Sequence, residues 1–336
     1  MYSRHGDRMK RLAAGLPILL VVLLVLASTT RTQSAPRLPR IGMLCAPACS
    51  GTSFDAFWEG LRELGWVEGT TVVIDRKEAG SRLDELPILA AHLVQSKPDL
   101  IVTLSPQAAR AAKDATSEIP IVMTFISDPI GMGLASSLAH PGGNATGVAS
   151  LVPGDFDGKV LEIIRELLPK AQRVAAFINP SNDIHRLLYP KEAPPAAAKL
   201  GFQLDTFELH HADEMPDAVA AAKAHGAEAL FVLADPIFNF PPNRLPDLAL
   251  QAQLPAISFF RTFTQAGGLL SYGPDYAGLA RLGAHYVDRI LKGAKPAELP
   301  IEQPSKFLFV INLKTAKSLG VEVPLSLLAR ADEVIE

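Results

Sequence analysis

The sequence predicts an α/β protein of two lobes, each a parallel sheet covered by helices, and three observations carry that expectation. Strand-like and helix-like segments alternate from Pro39 onward, the order that builds parallel sheets. A stretch rich in Gly, Pro and small residues at 140–155 interrupts the alternation, which then resumes for a similar number of units. The length, 336 residues, suits two domains of about 150 residues each better than one core.

Residues 1–35 stand apart. Arg4, Arg8, Lys10 and Arg11 precede the uncharged stretch LAAGLPILLVVLLVLAST, and the polar TTRTQSAP follows, the order of a secretory signal peptide with Met9 as an alternative start. The competing reading is an uncleaved anchor, because 12–30 approaches the length of a bilayer span. Gly15 and Pro17 shorten the strongly apolar part to about a dozen residues, which favours cleavage and a periplasmic or otherwise exported protein. Without its five basic residues and one acid, the remainder holds 27 Lys and Arg against 34 Asp and Glu, a formal charge of −7. That mildly acidic body argues against a nucleic-acid partner. Hydrophobic residues make up 48% and charged residues 20%, so the body can bury a substantial core and carries no disorder signature.

The elements follow in order. RIGMLC reads as a strand, and SFDAFWEGLRELG places Phe54, Phe57, Trp58, Leu61 and Leu64 on one helical face, with Ser53 as N-cap and Gly65 as stop. TVVID, the helix LDELPILAAHLVQS, the strand DLIVTL, the helix PQAARAAKDA and the strand PIVMTF continue the first series. After the interruption, taken as the first crossing between lobes, come the helix FDGKVLEIIRELL, the strand RVAAFIN, a helix within 183–200, and the strand FQLDTFEL. The helix MPDAVAAAKAHG, the strand EALFVLA, the helix LPDLALQAQ and the strand PAISFF complete the second series. GGLLSYGP, the helix DYAGLARLGAHYVDRILKG, the strand KFLFVIN and the helix LKTAKSLG form a less regular tail that completes both lobes. The expected division is 36–149 plus about 270–296 for the first lobe and 150–269 plus about 297–336 for the second.

Four strands end in Ser, Asp or Asn followed at once by Pro: Ser105-Pro106, Asp128-Pro129, Asn179-Pro180 and Asp235-Pro236. Proline holds the preceding residue extended, as an N-cap requires, and fits the first helical turn, where its missing N–H would have been unpaired. The cap oxygen takes one of the orphan N–H groups, a contribution of about 1 kcal/mol. Capping alone accounts for each motif. Their position adds a second role, because ligands bind outside the carboxyl ends of parallel strands, where free N–H groups and the helix dipole suit an anion. Two motifs per half would line a cleft, with Asp128 or Asp235 placed for an ammonium group, so a zwitterion satisfies both.

Phe54, Phe125, Phe238, Phe259, Phe260, Phe263 and Tyr272 lie near strand ends. Most are expected in the cores, with one or two left to stack on an apolar or aromatic ligand. Cys45 and Cys49, the only cysteines, are spaced for a short disulfide in an exported chain, for two free thiols, or for a poor metal site with no nearby His. GMGLAS at 131–136 lacks the third glycine of a dinucleotide fingerprint, and no G-x-S-x-G, H-E-x-x-H or S-x-x-K is present, so neither cofactor nor catalytic residues are expected. His210 and His211 fall in a polar stretch, and Asn144 begins a short glycosylation pattern.

The sequence resembles the substrate-binding proteins of ABC importers with a type I periplasmic-binding fold, and within them the group that includes tryptophan-binding TrpX-like proteins. The resemblance covers about 40–336 and rests on FWEGLRELGWVEG, ATSEIPIV, DPIGMGLASSLAHPGGNATG, LADPIF, GGLLSYGPD, ILKGAKPAELPIEQP, FVINLKTAKSLG and LLARADEVIE. It implies two Rossmann-like lobes joined by a hinge, closing on a small solute and delivering it to a permease driven by a cytoplasmic ATPase. The first loop, CAPACSGTSF, departs from the Ser- and Gly-rich loop of TrpX-like members, so the resemblance alone leaves tryptophan specificity open. The candidate ligand-binding residues are Ser105, Gln107, Ser127 and Asp128 from the first lobe and Asn179, Asp235 and Tyr272 from the second. Ser105 and Ser127 would hold a carboxylate and Asp128 or Asp235 an amine, in a monomer that binds a zwitterionic or carboxylate solute. The rival expectations are a tethered sensor ectodomain and a small-molecule enzyme on the same scaffold.

Overall fold

The computed structural model describes residues 37–46, 49–80, 82–150, 156–239 and 241–336; the leader expected at 1–35 lies outside them. Two sheets organise the chain. The first contains β1 (Arg40–Cys45), β2 (Val73–Glu78), β3 (Leu100–Thr103), β4 (Ile121–Ile126) and β5 (Ala145–Ala149), in the order β2-β1-β3-β4-β5. The second contains β6 (Arg173–Ile178), β7 (Gln203–Glu208), β8 (Ala229–Val232), β9 (Ala256–Ser258), β10 (Leu270–Pro274), β11 (Phe307–Asn312) and β12 (Glu333–Ile335), in the order β12-β11-β10-β9-β8-β6-β7. Every pairing is parallel except β10 with β11. β6–β10 therefore repeat the order of β1–β5, and each lobe is a doubly wound sheet whose order reverses beside its first strand.

Burial follows from position in the sheet. The inner strands LIVT (β3) and ALFV (β8) are buried at every residue, because helices cover both faces. The edge strands β2 and β7 share a half-exposed alternation and carry the charges. In the first lobe, helices Thr52–Glu63 and Tyr276–Leu291 pack one face around Phe57, Leu61 and Tyr286, while Leu86–Gln95 and Pro106–Ala115 pack the other around Leu86 and Leu93.

Two expectations change. The segment 140–155 contains β5, a fully buried fifth strand, and the chain leaves the first sheet only after it. Its sequence ATGVA hides the strand because Gly147, at φ 139°, lies where a Cβ would come 2.0 Å from the Met123 carbonyl oxygen; only glycine permits that approach. β10, grouped with the first lobe in the expected division, pairs with β9 and β11 in the second sheet, and the helix after it returns to the first lobe. Asn144 is buried, donating to the Thr116 and Ile119 carbonyls and accepting from Lys113, so its amide serves structure.

Candidate functional site

The four strand-end motifs resolve into different local structures. Ser105 caps the helix Pro106–Ala115, its Oγ accepting from Ala108 N at 3.2 Å. Asp235 starts the single turn Pro236–Asn239, with Oδ1 accepting from Ile237 N at 3.0 Å. Asp128 accepts from Gly131 N at 2.8 Å, yet a turn follows instead of the expected helix. Asn179 spends its Oδ1 on Ser181 N, and the helix Asp183–Leu187 begins later under Asn182, whose Oδ1 accepts from Ile184 N at 3.0 Å. The Asn179 turn closes on itself before a helix can form, which moves the cap three residues on.

These starts bring the lobes together. Gln107, on the first-lobe helix, donates through Nε2 to Asp235 Oδ2 of the second lobe at 3.1 Å. The same oxygen accepts from Asn182 Nδ2 at 2.8 Å, so the fully buried Asp235 carboxylate collects three donors. His185 lies beneath, its Nδ1 accepting from Asn179 N at 2.8 Å. Burial pushes the His185 pKa down and outweighs the nearby Asp235 charge, keeping the ring neutral with its proton on Nε2. Arg110 reaches Asp183 across the cleft at 4.0 Å, and Ile184 of the second lobe packs into the first-lobe cluster around Leu86 and Ala108. The lobes are closed on one another.

Two polar atoms in this network lack partners among the described residues: Gln107 Oε1, an acceptor, and Asn179 Nδ2, a donor. Their assignment is fixed by what the other end of each amide does, since Gln107 must turn its NH₂ to the Asp235 carboxylate and Asn179 its oxygen to the Ser181 N–H. Buried unpaired groups cost free energy until something supplies the missing bond. Gln107 also lines a cavity of about 640 Å³, together with Leu86, Arg110, Met132, Asp183 and His210, within the usual size of small-molecule sites.

Other candidates lie apart from this contact. Ser127 Oγ meets Ser150 Oγ at 3.5 Å, joining the ends of β4 and β5. Tyr272 stacks with Phe156 and Phe307 at 5.6 and 5.9 Å and packs on the second-lobe core. Cys45 and Cys49 form a disulfide with Cα atoms 5.3 Å apart, and Cys49 N donates to Glu78 Oε1. Asn182, His185 and Arg110 were not singled out in the sequence; Asn182 carried a signal as a second Asx residue after Asn179, whereas buried His185 carried none. Among the described residues no group of three His, Cys, Asp or Glu is placed to hold a metal, and no helix is long and apolar enough to cross a membrane.

Two sheets that share one order over five strands, with lobes bridged by polar side chains from strand ends, have the two-lobed architecture of solute-binding proteins. The chain belongs to the ABC transporter substrate binding protein family, whose model matches residues 36–335. Such proteins are exported and present a small molecule to a membrane transporter. The chain is 26% identical over 266 residues to a tyrosine-binding protein of Clostridioides difficile, covering 79% of this chain and 76% of that protein. It is similar to an ABC domain of Streptococcus pneumoniae solved in complex with L-Trp, at 27% identity and a TM-score of 0.80, covering 89% of this chain and all of that one (100%). A conserved domain protein of Vibrio cholerae matches with the same identity and coverage, 27%, 89% and 100%, and a TM-score of 0.81.

Proposed function

We propose that this protein captures an amino acid with an aromatic side chain in the interlobe cleft, closes over it, and passes it to its permease. It does so as a monomer, exported after removal of the leader at 1–35. The observation that carries the reading is the Gln107–Asp235 bond across the cleft, flanked by an unpaired acceptor on Gln107 and an unpaired donor on Asn179. An α-ammonium group donates to Gln107 Oε1 while an α-carboxylate accepts from Asn179 Nδ2, so one zwitterion satisfies both atoms. A neutral sugar offers no such pairing of charges. The tyrosine-binding relative and the L-Trp complex supply the aromatic class. Asp128, held by its own turn, is a structural residue in this reading.

Thermal-shift and calorimetric titration with L-Trp, L-Tyr, L-Phe, L-Leu, glucose and acetate test it. Stabilisation by the aromatic amino acids at micromolar concentration is expected. A protein that ignores all amino acids but responds to another solute class would overturn it.

A further inference from the structure

The aromatic side chains differ in burial and position, and Phe156, Tyr272 and Phe307 form a partly buried stack on the second lobe. Phe57, Phe177, Phe231, Phe238, Phe259 and Phe263 are buried in the cores. Phe125, Phe260 and Tyr276 are only partly buried and come from three segments that meet between the sheets. Phe125 lies in β4 of the first lobe, Phe260 precedes the short helix Arg261–Gln265 of the second, and Tyr276 opens the helix that crosses back to the first. Tyr276 touches both of the others, with ring centroids 5.2 Å from Phe125 and 5.0 Å from Phe260. The three rings form one seam from lobe to lobe.

The backbone is distorted to make it. Phe125 has φ 63°, the left-handed region that a bulky residue adopts only when its surroundings impose it. The imposing feature is the β4–β5 register shift between Met123 and Ile126, held by the close approach that Gly147 permits. In regular alternation Phe125 would point away from the position it takes, and it is the one residue of β4 that is not buried. Strain of this kind persists where it places a side chain for use. The Tyr276 hydroxyl makes no hydrogen bond with a described residue, and burial pushes its pKa above the ordinary phenol value.

We infer that Phe125, Phe260 and Tyr276 are the specificity-determining wall of the ligand site. They select a flat aromatic side chain over an aliphatic one of similar volume, and the Tyr276 hydroxyl pairs with the polar atom of an indole or phenol ring. The inference rests on the amino-acid reading above and adds the residues that set its side-chain class. Offset and edge contacts with such a ring reward aromatic ligands specifically, and a hydroxyl that the closed site leaves without a partner discriminates against a ring that cannot pair with it.

Calorimetry with L-Trp, L-Tyr, L-Phe and L-Leu on the wild-type chain and on Phe260→Leu, Phe125→Gly and Tyr276→Phe tests the wall. Phe260→Leu should lose roughly tenfold in affinity for the aromatic ligands and little for L-Leu. Tyr276→Phe should weaken L-Trp and L-Tyr while sparing L-Phe. Phe125→Gly accepts the positive φ without strain but gives up packing on Tyr276 and the first-lobe core, so its melting temperature should fall. Its aromatic-to-leucine affinity ratio, which a general loss of stability leaves unchanged, should fall too and so separates ligand contact from folding. Unchanged aromatic-to-leucine ratios in all three variants would overturn the inference while leaving amino-acid capture standing. A wild-type chain that binds none of the four ligands would overturn that capture, and the wall with it.

Discussion

Replacing Gln107 with alanine isolates the bond that joins the lobes. The Asp235 carboxylate keeps Asn182 Nδ2 and the Ile237 N–H, so no buried charge is stranded and the second lobe retains its own network. What disappears is the 3.1 Å hydrogen bond to a charged acceptor, formed only when the lobes are shut, together with the Oε1 acceptor proposed for the ligand ammonium. Such a bond contributes about 1.5–3 kcal/mol net, which lowers the closed-to-open ratio by roughly ten- to a hundredfold. Because the ligand is held by the closed form, affinity should fall at least as far, while the apo melting temperature barely moves. Gln107→Glu goes further: two carboxylates at that spacing repel by about 5 kcal/mol at an effective dielectric of ~20, so closure should fail at neutral pH and recover in acid as the pair shares a proton. Calorimetry gives the affinities, and small-angle scattering at saturating ligand gives the compaction. Wild-type affinity and compaction in Gln107→Ala would refute the assignment of the Gln107–Asp235 bond as the clasp.

His185 and the disulfide yield two further tests. The folded pKa of His185 lies below its unfolded value because burial disfavours the charged ring, so its contribution to stability is full above about pH 6.5 and is lost as pH falls from there through the folded pKa. Urea denaturation at several pH values between 7.5 and 5 should show wild type losing up to about 1.4 kcal/mol per pH unit more than His185→Asn; matching slopes would count against this. The Cys45–Cys49 bridge, with a sequence separation of 4, closes a very short loop, worth about 2 kcal/mol on the chain-entropy relation. The untreated, denatured protein should show no free thiol, and reduction should lower its melting temperature; two titratable thiols without reductant would exclude the bridge.

Much of the fold was legible because central strands of a parallel sheet must be apolar throughout while edge strands alternate, and β3 and β8 against β2 and β7 follow that rule. β5 was not, since its close approach to β4 demands glycine and small residues, which read as a linker. The duplication had a local signature that sequence reading passed over: Asp84-Glu85-Leu86-Pro87 and Asp213-Glu214-Met215-Pro216 occupy equivalent 3₁₀-to-helix junctions after β2 and β7. Tyr272 lies within β10 and is the aromatic its strand-end position singles out, whereas Tyr276, four residues on and past the end of β10 at Pro274, is the ring that touches both lobes. Alternation within a strand says nothing about the direction the chain takes after it ends.

The site itself was only half legible, for a reason that lies in its chemistry. Ser105 and Asp235 carry a cap signal that any helix start would carry, and Gln107 carries none; their meeting joins residues 128 positions apart in sequence. A carboxylate has two oxygens and about four acceptor positions. Asp235 uses one oxygen to begin its own helix and the other to take Asn182 and Gln107. The Ser105 hydroxyl, which accepts from Ala108 N, keeps one acceptor lone pair and its O–H but is uncharged, so a bond to it is weaker than one to a carboxylate. At these strand ends acid rather than hydroxyl is therefore the cap that clasps more strongly, and of the two acids in the motif only Asp235 meets, among the described residues, a donor from the opposite lobe.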